Sequence, residues 1–177
     1  PGASIGFSGP VAGTTFSWTG SINVGFGVTG AGTIAAFTAT NAGTNSLIST
    51  VSVTPTTSTC TGPATSFTVT VNPTPSVGTI ADATFCGNSN APSIGFSSAT
   101  PNTTFAWSSS ANVGFGTSGS GNIGGGFSAL NNSQNVVTTT VSVVPATATC
   151  TGSARLFTFV VNPTPGNPGA NSPIVYC

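Results

Sequence analysis

The sequence predicts an all-β protein built from two tandem antiparallel β-sandwiches, and three observations favour this fold class. The chain contains an internal repeat of about 90 residues, which is the size of one sandwich domain. Short segments alternate apolar and polar residues with a period of two, as half-buried strands do. Glycine and proline interrupt the chain at intervals of roughly 8–12 residues, and no segment shows a convincing helical period.

The repeat is visible in several segments. Ser-Ile-Gly-Phe at 4–7 recurs at 93–96, and Thr-Thr-Phe-x-Trp at 14–18 recurs as Thr-Thr-Phe-Ala-Trp at 103–107, both with an offset of 89 residues. After Ile34 the offset becomes 90, because the second copy has a longer glycine-rich stretch. A period of this length indicates a sandwich domain and is too long for one coil of a β-solenoid.

The phase of the repeat suggests how the chain is divided. The predicted units are repeat 1 at 1–75, repeat 2 at 76–165, and the opening segment of a third repeat at 166–177. Cys86 opens the second unit, and Cys177 takes the same place at the head of the third. Pro1 corresponds to Asn90, so repeat 1 is expected to lack its opening segment. This frame is typical of a window in a longer tandem array.

The aromatic pairs at 16–18 and 105–107 are the predicted core anchors. Phe16 and Trp18 lie two residues apart on a predicted strand, as do Phe105 and Trp107, so each pair faces one side of its sheet. A tryptophan on an early central strand fills the space between two sheets in immunoglobulin-like sandwiches. The alternative is an exposed aromatic platform for stacking sugars. The wider predicted core comprises Phe7, Phe37, Val51, Val53, Phe67 and Val69, with Phe96, Phe127, Val141, Val143, Phe157 and Phe159 in the second unit.

Composition excludes several classes of function. The 177 residues include one Lys or Arg (Arg155), one Asp or Glu (Asp82) and no His. General acid–base catalysis, metal ligation and cofactor binding need convergent groups of these types, so we expect no enzyme activity, no cofactor and no metal site. One cation cannot bind a nucleic acid by releasing counterions. No apolar run approaches the ~18 residues that a membrane-spanning helix requires.

Four cysteines in a chain this poor in other reactive groups, with no C-x-x-C spacing, predict disulfides and an oxidising, extracellular location. The favoured scheme pairs Cys86 with Cys150 inside one unit. It leaves Cys60 without a partner in its own unit, and it pairs Cys177 with the Cys60 equivalent of the following segment. The alternative scheme pairs Cys60 with Cys86 and Cys150 with Cys177 across the linkers.

Four motifs together resemble a known family: Cys-Gly-Asn at 86–88, Thr-Phe-Ala-Trp at 104–107, Cys-Thr-Gly at 150–152 and Val-Asn-Pro-Thr-Pro at 161–165. The chain is similar to the PKD-like, immunoglobulin-like tandem repeats of secreted surface adhesins and filaments of Bacteroidota. The resemblance implies a calcium-independent stalk exported to the cell surface. The chain departs from classical PKD domains at 108–110, where Ser-Ser-Ser replaces an acidic Gly-Asp-Gly turn.

These observations favour a structural role. We expect a repeat segment of an extracellular filament or adhesin stalk that assembles end to end with copies of itself. Near-zero net charge removes the repulsion that keeps soluble proteins apart. The alternative function is a glycan- or ice-binding β-sandwich module, since Thr-rich β faces can order water or stack sugars. A hydrolase is disfavoured because the chain has no His and no second carboxylate.

Overall fold

The computed structural model describes residues 2–166 and 169, and within these residues it contains eleven β-strands and no helix. The all-β prediction is therefore confirmed. The strands are β1 Thr15–Gly20, β2 Thr29–Ala31, β3 Leu47–Thr56, β4 Thr65–Val71, β5 Ala83–Cys86, β6 Asn90–Ala91, β7 Thr104–Ser109, β8 Ser118–Ser120, β9 Phe127–Ser128, β10 Val137–Ala146 and β11 Arg155–Asn162.

The described residues form two compact units. The first unit extends through Ser76 and also includes Ala99–Thr103 and Thr147–Gly152, and the second contains the remaining described residues. Strands β1 to β4 belong to the first unit, and β5 to β11 belong to the second.

The first unit is built on an antiparallel sheet with the strand order β2-β1-β3-β4. Its alternating residues place Trp18 opposite Val53 and Val51 opposite Phe67. An isolated bridge between Ile5 and Ile34 lies outside the named strands. Ile34, Val51, Val53 and Trp18 are the buried residues of this core, and aromatic side chains pack against them.

The second unit repeats this sheet and extends it by one strand. Its order is β5-β11-β10-β7-β8, in which β5 runs parallel to β11 and the other pairs are antiparallel. A separate antiparallel pair, β6 and β9, and the bridge between Ile94 and Ile123 contribute the opposite layer of the sandwich. The second unit thus contains counterparts of the four strands of the first unit, together with β5, β6 and β9.

Each tryptophan packs in the same way. Trp18 is 6% exposed and Trp107 is 7% exposed. A Cβ added at Gly30 would collide with the Trp18 ring, and one added at Gly119 would collide with the Trp107 ring. Glycine is therefore needed at both positions so that the indole can lie flat on the neighbouring strand. The indole Nε1 atoms of both tryptophans are buried and have no hydrogen-bond partner among the described residues.

Candidate functional site

The edge of the first sheet is the most distinctive surface of the chain. Strand β4 is the last strand of its sheet, so one row of its backbone N–H and C=O groups is unpaired. Its counterpart in the second unit, β11, carries β5 along the corresponding edge, with Phe159 opposite Ala83 and Val161 opposite Phe85. Among the described residues, the same edge is therefore open in one unit and covered in the other.

The covering segment in the second unit, Val77–Cys86, makes apolar and polar contacts. Val77 is 8% exposed, and Ile80 packs against the same core cluster. The Phe85 ring stacks on Phe159 with centroids 4.9 Å apart and an interplanar angle of 18°. The backbone N–H of Gly78 donates to the Ser97 carbonyl at 2.7 Å. This segment is an integral part of the second unit's core.

Asp82 adds a contact that composition did not indicate. Its carboxylate is exposed, as expected for a solvated side chain, but Oδ1 also accepts a hydrogen bond of 2.6 Å from the backbone N–H of Thr158. Asp82 thus extends the pairing of β5 with β11 by one further contact. Arg155, the other charged residue, is the exposed first residue of β11 and lies opposite Val143.

The first unit has a groove where the second unit has Val77 and Ile80. Its volume is about 670 Å³. Its apolar walls include Phe7, Phe16, Val53 and Phe67, and its remaining lining residues are uncharged. The second-unit counterparts of these four residues, Phe96, Phe105, Val143 and Phe157, belong to the cluster that contains Val77 and Ile80. The groove and the free edge of β4 together form what we call the acceptor site.

The exposure of the sheet residues reflects this difference. Phe67 and Val69 in β4 are half-buried, whereas their counterparts Phe157 and Phe159 are 3% and 0% exposed. An apolar surface next to an unpaired strand edge suits an incoming extended segment, because the backbone can pair while alternate side chains enter the groove. No charge in the lining would attract an ionic ligand.

The structure separates the predicted site residues into buried and exposed groups. Trp18 and Trp107 lie in the cores, and Phe16 and Phe105 are half-buried against them. Neither tryptophan can serve as an exposed platform for sugar stacking, because its ring is covered. Among the residues that the structure describes, no group of three His, Cys, Asp or Glu side chains could hold a metal ion.

The favoured disulfide between Cys86 and Cys150 is not formed in the structure. Cys86 lies opposite Asn162 at the end of β11. Cys150 lies in the turn that precedes β11, where the Cys150 carbonyl accepts a hydrogen bond from the Thr147 N–H. The seven residue steps from Asn162 back to Arg155, the first residue of β11, cover about 23 Å. A disulfide requires its two Cα atoms to lie roughly 4.4–6.8 Å apart. Cys60, Cys86 and Cys150 are free thiols in the structure, so neither predicted scheme is formed among them. Cys177 lies outside the described residues.

The acceptor site was not predicted from the sequence. Its residues were recognised as core positions, and the open edge emerges only when the two units are compared. No local sequence signal marks this edge, because the pairing of β5 with β11 is a property of the assembled sheet.

No protein-family model matches the chain, and no curated protein matches it. The described residues include no apolar helix of the length that crossing a bilayer requires.

Proposed function

We propose that this chain is a structural repeat segment of an extracellular filament or adhesin stalk that associates end to end with copies of itself. The observation that carries the proposal is the acceptor site, an unpaired strand edge beside an apolar groove. Exposed strand edges are templates for pairing with another chain unless charge, proline or a covering segment protects them. Within the described residues, strand β4 contains no Lys, Asp, Glu or Pro, and no strand pairs with its outer edge.

Charge and chemistry support the same role. With one cation and one anion in 177 residues, two copies meet without electrostatic repulsion. The groove offers backbone pairing and apolar packing, and its lining contains no charged residue for catalysis or phosphate binding. We therefore propose a load-bearing, non-catalytic role outside the cell, as in the PKD-like repeats that the sequence resembles.

The experiment is to follow the purified chain over a wide concentration range in reducing buffer, by sedimentation velocity and by electron microscopy. We expect linear particles whose length increases with protein concentration, because one site on each copy would receive a neighbour. A matched control is Thr68→Lys, which places a charge on the edge strand; Thr68 is exposed, so folding should be retained. A parent chain that remains monomeric at about millimolar concentration would contradict the proposal.

A further inference from the structure

The chain contains two Asn-x-Ser/Thr triplets in which the middle residue is not proline, at 102–104 and 131–133. This triplet is the recognition motif for N-linked glycosylation. We propose that Asn102 carries an N-linked glycan in the folded chain and that Asn131 does not. Such a modification requires the extracellular location of the proposed function, because exported chains meet the membrane-bound glycosyltransferases.

The Asn131 side chain is already used by the fold. It is 6% exposed, and its amide nitrogen donates to the carbonyl oxygens of Asn135 and Val161, each at 2.8 Å. Its Oδ1 atom accepts from the backbone N–H and the hydroxyl of Ser133 at 2.9 and 2.8 Å. A sugar bonded to Nδ2 would replace one of the donated hydrogens and would need space that a buried side chain lacks. The folded unit therefore excludes a glycan at Asn131.

The first unit shows that this asparagine serves the fold. Asn41 is the counterpart of Asn131, and its amide nitrogen donates to the Asn45 and Val71 carbonyls at 2.9 and 2.8 Å. Gly43 stands at the third position of that triplet, so the first unit keeps the asparagine without the hydroxyl that glycosylation needs. The structure of the loop is thus sufficient to explain an asparagine at both positions.

Asn102 differs from Asn131 in exposure and in hydrogen bonding. It is exposed in the turn before β7, and its side chain makes no hydrogen bond with the residues that the structure describes. Its Nδ2 atom is therefore free to form a new covalent bond. The third residue of the triplet, Thr104, is the exposed first residue of β7, and its hydroxyl donates at the surface to the Ala146 carbonyl. An exposed turn is where a bulky glycan can be accommodated.

The first unit also shows that the fold does not need an asparagine at this turn. Gly13 is the counterpart of Asn102, and their φ angles are 75° and 56°. In both units a threonine follows, and its hydroxyl donates to the carbonyl three positions earlier at 2.7 Å. The turn therefore requires a residue that tolerates a positive φ, as glycine and asparagine both do. The amide of Asn102 has no structural task in this turn.

The modification joins a sugar to this free amide. A glycosyltransferase supplies a sugar whose anomeric carbon is bonded to a phosphate or diphosphate leaving group. The Nδ2 atom of Asn102 forms a bond to that carbon, the bond from the carbon to the leaving-group oxygen breaks, and Nδ2 releases one proton. With one cation and one anion in 177 residues, the chain has little charge to keep it hydrated. A glycan would supply hydration without charge.

The test uses the folded full chain as the substrate of a purified oligosaccharyltransferase that recognises Asn-x-Ser/Thr, with a lipid-linked oligosaccharide as the sugar donor. We expect intact mass spectrometry to show a single glycan and peptide mapping to locate it on Asn102. Asn102→Gln should abolish the modification. Thr104→Val should abolish it as well, because valine suits a strand but has no hydroxyl, whereas Thr104→Ser should retain it. Ser133→Ala is the matched control, since it removes the hydroxyl of the other triplet and should leave the glycan in place.

Short peptides separate the effect of sequence from the effect of folding. Peptides of residues 97–108 and 126–137 contain one triplet each and have no core, so we expect both to be glycosylated. In the folded chain only Asn102 should be modified. A glycan on Asn131 of the folded chain would overturn the inference. A folded chain that stays unmodified although its 97–108 peptide is modified would overturn it too.

The chain isolated from its own cells decides whether the modification is used. We expect its mass to exceed that of the sequence. A peptide N-glycosidase, which releases the glycan and converts the linked asparagine into aspartate, should leave an aspartate at position 102. Native chains with an unmodified Asn102 would overturn the inference. Linear particles formed by such unmodified chains would still support the filament role, so the two proposals can fail separately.

Discussion

Single residues of this fold are constrained by close contacts between strands and loops. Gly114 has a φ of 119°, and a Cβ there would collide with the carbonyl oxygen of Ser128. The loop around it is held by Asn112, whose Oδ1 accepts from the N–H groups of Gly114 and Gly116 at 2.9 and 3.0 Å. The same arrangement of Asn23, Gly25 and Gly27 recurs in the first unit.

Gly114→Ala should lower the free energy of unfolding of the second unit by about 1–3 kcal/mol, because alanine is strained at this φ and its Cβ has no space. Gly124→Ala is the matched control, since a Cβ there meets nothing within 4 Å and its φ is ordinary; its effect should stay within about 0.5 kcal/mol. Urea unfolding of both variants tests this. Equal effects of the two substitutions would contradict the steric explanation.

The tryptophans allow a second prediction at the same scale. Trp107→Ala should cost roughly 3–5 kcal/mol, because it removes a large ring from a packed core. Trp107→Phe should cost clearly less, because phenylalanine keeps much of the ring and also removes a buried indole N–H that has no partner within the described part of the chain. Denaturant unfolding distinguishes the two variants. A phenylalanine variant as unstable as the alanine variant would show that the indole N–H has a stabilising interaction.

At the scale of elements, the sequence predicts the long strands and misses the short ones. Alternation at Phe67–Val71 and at Val51–Val53 marks β4 and β3, since both have one buried face. Val24 and Ile34 are fully or almost fully buried, yet neither was expected in the core. They lie in glycine-rich loops without a period of two, so alternation could not reveal them; only their recurrence as Val113 and Ile123 could.

Strand β5 could not be predicted for a different reason. It has four residues, and its partner β11 begins 69 positions after β5 ends, so no local pattern links the two strands. The parallel pairing depends on the edge that β11 offers after β10 is in place. The acceptor site shares this origin, because an open edge is a property of the assembled sheet.

Phe85→Ala tests the contribution of β5 to the second unit. We expect a loss of about 2–4 kcal/mol in the free energy of unfolding, because the ring that stacks on Phe159 is removed from a partly buried position. Leu156→Ala is the control, since Leu156 lies on neighbouring β11 but is 63% exposed; its effect should stay within about 0.5 kcal/mol. Denaturant unfolding provides the measurement. A negligible effect of Phe85→Ala would show that β5 contributes little.

At the scale of the whole molecule, the repeat predicts the fold class, but the disulfide inferred from it is not formed in the structure. Pairing the first and last cysteines of a unit assumed that they lie near each other. In the structure, Cys86 lies opposite Asn162, the last residue of β11, whereas Cys150 precedes Arg155, its first residue. Sequence separation carries no information on which end of a sheet a residue reaches, so topology decides.

Peptide mapping without reducing agent should therefore find no linked Cys86–Cys150 peptide in the native chain. Cys150→Ser should leave unfolding by denaturant nearly unchanged, because Cys150 is a half-buried free thiol in a turn. The parent chain treated with a reducing agent is the control, and it should unfold like the untreated chain. A Cys86–Cys150 peptide would require β11 to lie differently from the register described above.

The covered edge of β11 has a consequence for how copies could accumulate. Because Val77–Cys86 already occupies the second unit's edge, each chain offers one acceptor site in its described part. If each copy fills one such site on a neighbour, its valence is two, and a chain of copies cannot branch. Its contact is also heterologous, so the two ends of a growing polymer differ. A concentrated solution of such chains would thicken as its polymers lengthen, but this contact alone would not crosslink it into a gel.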